Sequence, residues 1–225
     1  MGLKRRNRPI LIAVMCCAAV LTAVFAALAY SSVTDGITNT FSIGNVRIKL
    51  TETEYPGNTV SGIVPNSETA KNPQINNVGV NSAFVFLKVT VPKKEVTVAD
   101  AYGNCSEKTL QEIFYLKTSE NDIDITENSF SDCWSELESY AEESSETKTY
   151  VFGYKNALGS FRATEPLFDK IQLKNIIEQE IDPEELQEIK IEAYAVQSDN
   201  IPGIDKTDDL SADELEQIYR IIENK

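Results

Sequence analysis

The segment from Ala83 to Val91 carries apolar side chains on both faces of an extended strand, and it constrains the fold more than any other. One face holds four aliphatic residues: Val85, Leu87, Val89 and Val91. Phe84 and Phe86 lie on the opposite face, because successive side chains of a strand alternate. A strand with two apolar faces must be covered on both sides. We therefore predict a central strand that is doubly covered at its start and ends at Pro92.

Shorter segments also have strand character, most of them by alternation of apolar and polar residues. They span residues 37–43, 46–50, 112–117, 132–140, 150–154, 170–173 and 189–196. In the last of these, the residues predicted to face inward are Ile189, Ile191, Ala193 and Ala195. The stretch 53–79, rich in turn-forming residues, predicts loop and a short edge strand. About eight short strands separated by turn signals predict an all-β protein built as an antiparallel β-sandwich or jelly roll.

Two segments predict helices instead of strands. Asp182 followed by Pro183 combines an N-cap residue with proline at the first helical position, which predicts one or two turns. Ser211 and Glu214 form a capping box. The apolar residues that follow it at helical spacing are Leu215, Ile218, Tyr219 and Ile222. The sequence is therefore predicted to end in a short amphipathic helix.

The first 29 residues have the three parts of a secretory signal peptide. Four basic residues come first: Lys4, Arg5, Arg6 and Arg8. An uncharged run spans residues 10–29 and ends with Ala27 and Ala29, small residues at the −3 and −1 positions before Tyr30. We predict cleavage there, which leaves a single domain over residues 30–225. The alternative is a retained membrane anchor, since about 20 apolar residues span a bilayer.

The chain is strongly acidic, with 21 basic and 35 acidic residues. Removal of residues 1–29 takes away four basic residues and no acidic ones, so 17 basic and 35 acidic residues remain and the net charge becomes about −18. Nucleic acids and anionic membranes attract positive charge, so we expect neither as a partner. An acidic, Ser-rich stretch at about 93–149 is interpreted as an insertion into the domain.

The chain contains no histidine. Its absence removes the commonest general base, the Ser-His and Cys-His pairs and every His-based zinc site. The residues from Asn121 to Glu127 place oxygen side chains at alternate positions, as in a calcium loop, but the glycine that turns an EF-hand loop is missing. Asp205, Asp208 and Asp209 are likewise interpreted as solvated acidic surface. We therefore expect no enzymatic activity, no cofactor and no metal site.

The two cysteines that follow the signal segment, Cys105 and Cys133, are candidates for a disulfide in an oxidising compartment. Two free thiols are the alternative, because the sequence does not reveal whether the two Cα atoms come close enough. Tyr150, Phe152 and Tyr154 form an aromatic set at alternate positions. They predict either a ligand platform or, as is more common, packing within a sheet.

Four segments of the chain form a recognisable set. They are TNTFSIGNV at 38–46, AFVFLKV at 83–89, PLFDK at 166–170 and EAYAVQ at 192–197. This set resembles the TasA/camelysin family of Gram-positive bacteria. The resemblance covers most of residues 10–200, whereas the stretch 93–149 and the C-terminal helix match less well.

The resemblance implies a precursor cleaved by a dedicated signal peptidase of the SipW type. It implies a jelly-roll-like β-sandwich exported to the cell surface and a fibre-forming role in the biofilm matrix. Some members have been called metallopeptidases. This chain has no histidine and no HExxH motif, so that activity is not carried over.

Cleavage before Tyr30 would leave a free N-terminal segment that contains a strand. Such a strand can add to the open edge of a sheet in a neighbouring copy, and a head-to-tail contact that does not close gives a filament. The candidate residues of this assembly strand are Ile37, Thr38, Asn39, Thr40, Phe41 and Ile43. The alternative is that the segment is the first strand of its own sandwich.

The sequence is compatible with two main candidate functions. The first is a secreted structural protein of the cell surface or extracellular matrix that assembles with itself, and other matrix or surface proteins are further partners. The second is a monomeric or membrane-anchored surface module that binds a protein or a cation through its acidic stretch. A hydrolase has the least support, because no activating partner for a serine is identifiable.

Overall fold

Strand β5, Ala83–Val96, lies at the centre of the largest sheet. Its aliphatic face belongs to one apolar core and its phenylalanine face to a second. The prediction of a central strand that is covered on both faces is therefore confirmed. This computed structural model describes residues 39–43, 45–53, 64–100, 102–119, 127–177, 180–181, 187–199 and 201–224. All of them belong to one compact unit, Thr38–Lys225.

Seven strands form the large sheet. Besides β5 they are β1 (Asn39–Ile43), β6 (Thr109–Glu112), β8 (Trp134–Glu136), β9 (Glu142–Glu143), β10 (Thr147–Tyr154) and β12 (Lys190–Gln197). The order is β1-β12-β5-β10-β8, with β6 beside the far half of β5 and β9 beside β10. Every neighbouring pair is antiparallel except β1 and β12, which run parallel. The sheet is therefore mixed, which corrects the prediction of a purely antiparallel fold.

Two smaller antiparallel sheets pack on one face of the large sheet. One contains β3 (Glu68–Ala70), β11 (Lys170–Leu173) and β7 (Phe114–Lys117), and the other pairs β2 (Ile48–Glu52) with β4 (Pro73–Asn77). Their inward side chains share one cluster with the aliphatic face of β5, and we call this cluster the inner core. It includes Leu50, Ile75, Leu116, Ile171, Leu87 and Ile191.

Helix α1, Ala212–Glu223, lies over the other face of the large sheet. Leu215, Ile218 and Tyr219 are its buried residues, and they join Phe84 and Phe86 in a second cluster that we call the outer core. The Phe86 and Tyr219 rings lie 5.2 Å apart between centroids. Full burial of such a side chain contributes about 1.5–3 kcal/mol. The predicted C-terminal amphipathic helix is confirmed, and the described chain is otherwise mostly β-strand.

Gly153 on β10 makes room for this helix. A Cβ atom at this position would lie only 3.0 Å from Leu215 Cδ2 and 3.0 Å from Phe86 Cε1. The absence of a side chain therefore allows Leu215 to approach the sheet closely. The other predicted helix, at Asp182 and Pro183, lies outside the described residues.

Strand β5 does not end at Pro92, contrary to the prediction. It continues to Val96, because Pro92 lies where β5 changes neighbours. Up to Thr90 the strand pairs with β12, and from Lys93 onward it pairs with β6. Proline lacks only the N–H donor, and its carbonyl still accepts from the Ile113 N–H at 3.1 Å. The missing donor therefore marks a change of partner and not the end of the strand.

Residues 93–149 differ from the expected insertion, because they supply strands to two sheets. β6, β8 and β9 join the large sheet, and β7 joins the three-stranded sheet. The predicted strand at 112–117 is divided between β6 and β7 at Ile113, which is fully buried. The predicted strand at 132–140 consists of β8 followed by a short 3-10 helix, Glu138–Tyr140.

Candidate functional site

Strand β1 occupies one edge of the large sheet, and among the described strands it pairs only with β12. Asn39 lies opposite Glu192, and Ile43 lies opposite Val196. Ile43 is half-buried and packs against the outer core. This contact gives the short strand one apolar attachment besides its backbone pairing.

The predicted assembly residues are only partly described. Asn39, Thr40, Phe41 and Ile43 all lie in β1, and Ser42 completes the strand. Thr40 and Ser42 are exposed, as expected at the rim of a sheet. Ile37 and Thr38 lie outside the described residues. The structure therefore places the described members of the set together in one edge strand.

Hydrogen bonds hold the backbone in place immediately after β1, at Asn45. The Asn45 N–H donates to Gln197 Oε1 at 3.1 Å, and Asn81 Nδ2 donates to the Asn45 carbonyl at 2.9 Å. Val46 then enters the inner core with 4% of its surface exposed. Asn45 therefore marks the boundary between a short edge strand and the first residues that are locked into the fold.

Strand β12 is the acceptor on which β1 lies, and the sequence did not indicate this role. Its predicted inward residues are confirmed, because Ile189, Ile191, Ala193 and Ala195 are all buried in the inner core. Alternation reveals which face of a strand is buried, but it carries no information about which strand is its neighbour. Without β1, the same edge of β12 would present unpaired N–H and C=O groups to any strand that reached it.

Tyr194 adds an aromatic group to the outer face of this edge. Its ring lies 6.1 Å from that of Tyr219, at 78° to it. Burial raises the pKa of the Tyr194 phenol, and the nearby charge of Glu192 raises it further. The hydroxyl therefore stays protonated at neutral pH, and the ring packs against the outer core at this edge.

The aromatic set at 150–154 packs in the fold. Tyr150 and Phe152 are buried in the inner core, and Tyr154 packs against it. The Tyr150 hydroxyl lies 2.9 Å from both carboxylate oxygens of Glu112 and donates a hydrogen bond to that carboxylate. Asn128 Nδ2 donates a hydrogen bond to the Tyr150 hydroxyl at 3.2 Å. Burial and then the charge of Glu112 raise the pKa of Tyr150. A protonated phenol with satisfied hydrogen bonds serves structure, so the packing interpretation holds for these residues.

Cys105 and Cys133 are both free thiols, which corrects the predicted disulfide. Cys133 lies near the start of β5, since its carbonyl accepts from the Lys155 N–H just beyond β10. Cys105 forms a bridge with Ala99, beyond the end of β5. At about 3.3 Å per residue, roughly 40 Å of strand separates them, whereas a disulfide needs Cα atoms within about 7 Å.

The described acidic residues do not cluster into a group that could bind a metal ion. Among the described residues, no three Cys, Asp or Glu side chains come together in a group that could hold a metal ion. This applies to Asp205, Asp208 and Asp209. Most of the calcium-like loop at 121–127 lies outside the described residues, and so do Ala27, Ala29 and Tyr30.

Comparison with known proteins gives no relative, because no family model, curated protein or solved structure matches the chain. Within the described part of the chain, no helix is long and apolar enough to cross a membrane.

Proposed function

We propose that this chain is a secreted structural protein of the cell surface or biofilm extracellular matrix, and that it assembles into fibres by strand addition. In this proposal residues 1–29 are removed by a signal peptidase before Tyr30. The remaining domain is a jelly-roll-like β-sandwich of the TasA/camelysin type from a Gram-positive bacterium. It acts without enzymatic activity or a cofactor, and its main partner is another copy of itself.

The observation that carries this proposal is the position of β1. The strand has five residues, pairs with β12 alone among the described strands, and lies parallel to it. A parallel pair is slightly less stable per residue than an antiparallel one, and each backbone hydrogen bond contributes only about 1 kcal/mol. β1 is therefore a short edge strand that the domain can exchange at low cost, and β12 is the edge that would receive it.

The charge of the domain agrees with this role. An acidic surface keeps the exported chain soluble before assembly and gives no attraction to nucleic acid. Other matrix or surface proteins are further partners in the proposal, because the same β12 edge accepts any suitable strand.

A second candidate is a monomeric or membrane-anchored surface module that binds a protein or cation. The observation in its favour is that β1 completes the large sheet within a single chain. A protein whose own first strand fills the edge has no need of a neighbour. Oligomeric state separates the two candidates.

The test uses the chain from Tyr30 onward, which retains the whole compact unit Thr38–Lys225. Light scattering and electron microscopy are recorded over a range of concentration, pH and calcium. We expect filaments from the intact chain and none from a chain that lacks residues 30–43. Filaments from the truncated chain would exclude strand donation. A monodisperse intact chain under every condition would instead favour the binding module.

A further inference from the structure

The two-stranded sheet of β2 and β4 has one face in the inner core and the other in solvent. Leu50 and its partner Ile75 belong to the inner core, with 5% and 0% of their surfaces exposed. Side chains alternate between the two faces of a strand, so the neighbouring positions lie on the opposite face. These positions are the partners Lys49 and Asn76 and the partners Thr51 and Gln74, all of them exposed or half-buried.

Residues 162–164 widen this outward face by a third extended segment. The Asn77 N–H donates to the Arg162 carbonyl at 2.9 Å. Asn76 and Ala163 form an antiparallel bridge, which places the exposed Ala163 beside Asn76 on the same face. Neighbouring strands lie about 4.8 Å apart, so the three segments make a surface roughly 10 Å wide. We call Lys49, Thr51, Gln74, Asn76 and Ala163 together the polar face.

The fold leaves most polar groups of this face unused. Asn76 Nδ2 donates to Thr51 Oγ1 at 2.7 Å, which orients both side chains. Among the described residues, Asn76 Oδ1 and the Gln74 amide have no hydrogen-bond partner, and Lys49 takes part in no ion pair. An amide carries two N–H donors and an acceptor oxygen, and an ammonium carries three donors. The polar face therefore offers donors and acceptors to a ligand at positions that the strands fix.

An aromatic residue stands at one margin of the polar face. Phe161 lies two residues before Ala163, so their Cα atoms are within roughly 7 Å of each other. Its backbone has φ 55° and 74% of its surface is exposed. A bulky residue at positive φ is strained and persists only where its surroundings hold it. Ser160 Oγ supplies such a constraint, because it donates to the Gly79 carbonyl at 2.8 Å. The fold therefore keeps a large aromatic side chain in solvent beside the amides.

The charges at this end of the molecule favour an uncharged ligand. Lys49 is exposed, and so is Arg47 on the same strand side. Acidic residues of the loop after β12 lie at the same end, since the Ser198 N–H donates to the Ser82 carbonyl at 3.0 Å, next to the start of β5. The exposed aspartates of that loop are Asp199, Asp205, Asp208 and Asp209. Charges of both signs at one end of the molecule give a polyanion or a polycation little net attraction.

The layout of the face also disfavours a protein partner. Protein interfaces have an apolar centre and a polar rim. The order here is reversed, because Gln74 and Asn76 are central and Phe161 is marginal. Sugar hydroxyls donate and accept hydrogen bonds, and the C–H groups of a sugar ring pack on the electron-rich face of an aromatic ring.

We infer that the polar face binds an uncharged polysaccharide, with sugar hydroxyls bonded to Gln74 and Asn76 and a sugar ring packed against Phe161. A chain of several sugar units spans both the amides and the aromatic ring, whereas a single sugar does not. This binding goes beyond the proposed structural role. It needs only one copy of the domain, so it does not depend on fibre formation.

Affinity electrophoresis in native gels tests the inference with the chain from Tyr30 onward, at concentrations where light scattering shows single copies. The gels contain dextran, hydroxyethylcellulose or galactomannan as uncharged probes, and polygalacturonate as the charged one. The fall in mobility with probe concentration gives the dissociation constant. We expect at least one uncharged probe to retard the chain and polygalacturonate to leave its mobility unchanged.

Two variants locate the ligand. Phe161→Gly removes the ring without backbone strain, because glycine adopts positive φ freely. Asp209→Gly is its matched control, since Asp209 also has a positive φ, of 51°. Gln74→Ala combined with Asn76→Ala removes the amides of the face. We expect Phe161→Gly and the double variant each to raise the dissociation constant at least about fivefold and the control to leave it unchanged.

Thermal unfolding of each variant verifies that it is folded. Failure of all three uncharged probes to retard the parent chain would overturn the inference. Equal retardation of the parent, Phe161→Gly and the double variant would also overturn it, because the ligand would then bind elsewhere. Tighter binding of polygalacturonate than of any uncharged probe would show that charge selects the ligand, which contradicts the inference. None of these results bears on whether the chain forms filaments.

Discussion

Lys71 is a buried cation between β3 and β4, and Glu52 balances its charge. Its Nζ lies 2.7 Å from Glu52 Oε1, and only 7% and 18% of the two side chains are exposed. Loss of one partner from a buried pair leaves the other charge without water or a counter-ion. We expect Lys71→Met to lower the free energy of unfolding by about 3 kcal/mol, measured by urea denaturation with Trp134 fluorescence.

Lys190→Met is the matched control for this prediction. Lys190 pairs with Glu192 at 3.0 Å, but 55% of its side chain is exposed. Exposed pairs contribute less than about 1 kcal/mol, so the control should keep nearly full stability. Replacement of both buried charges, by Lys71→Met with Glu52→Leu, should recover part of the loss. Equal losses from the two lysine variants would contradict the buried-pair argument.

At the scale of elements, helix α1 depends on a capping box whose carboxylate is unusually acidic. The Ser211 backbone N–H, followed by the Lys206 ammonium and the Ser211 hydroxyl, holds the pKa of Glu214 at about 2. A depressed folded pKa means that the charged carboxylate stabilises the fold above its ordinary value of 4.5. That contribution is lost as the pH falls towards 2. We therefore expect α1 to loosen across this interval before the sheets do.

The test of the cap is hydrogen exchange of the amides at 212–223, with β5 as the internal reference. Ser211→Ala removes one half of the box and should cost about 1 kcal/mol at neutral pH. Protection factors of α1 in the variant should be lower at pH 7, and they should still fall between pH 7 and pH 3, because the backbone N–H at position 211 and the Lys206 ammonium still bind the Glu214 carboxylate. Equal protection of α1 in parent and variant at pH 7 would refute the role of the cap.

The sequence predicted elements whose signals are local. The two faces of β5, the inward face of β12 and the capping box of α1 all follow from residues within one segment, and the structure confirms each. Spacing and side-chain size suffice in these cases, because a strand or helix must bury its apolar positions wherever it lies.

The predictions that failed all depend on residues distant in the chain. The parallel pairing of β1 with β12 joins segments about 150 residues apart, and no local pattern specifies such a partner. Pro92 ends a strand only where its missing N–H is needed, and that depends on β6 and β12. The disulfide failed for the same reason, since Cys105 and Cys133 lie at different ends of β5. The acceptor edge of the candidate site was likewise invisible in sequence.

For the whole molecule, the central question is whether β1 stays in its own sheet. Exchange with a neighbour keeps the same hydrogen bonds and the same contact of Ile43 with the outer core. Such an exchange is a low-cost route to association, and its balance is then set by concentration and by any further contacts between copies. In the proposed assembly, conversion from a closed monomer to a chain of linked copies would therefore need little new energy.

A covalent lock distinguishes these two states. Ser42 and Ala195 are opposite each other in the parallel pair, and neighbouring strands lie about 4.8 Å apart, within the range that a disulfide spans. We propose Ser42→Cys with Ala195→Cys in a chain whose own thiols are removed by Cys105→Ser and Cys133→Ser. Oxidation in dilute solution should fix β1 to its own β12.

The locked chain should remain monomeric at concentrations where the parent forms filaments, and reduction should restore assembly. Reversal by reduction shows that the four substitutions themselves do no harm, so the reduced sample is the control. Mass spectrometry of the oxidised chain verifies that the bond is intramolecular. Filaments of normal morphology from the fully oxidised chain would show that assembly proceeds while β1 stays bonded to its own β12. In that case strand addition by β1 is wrong.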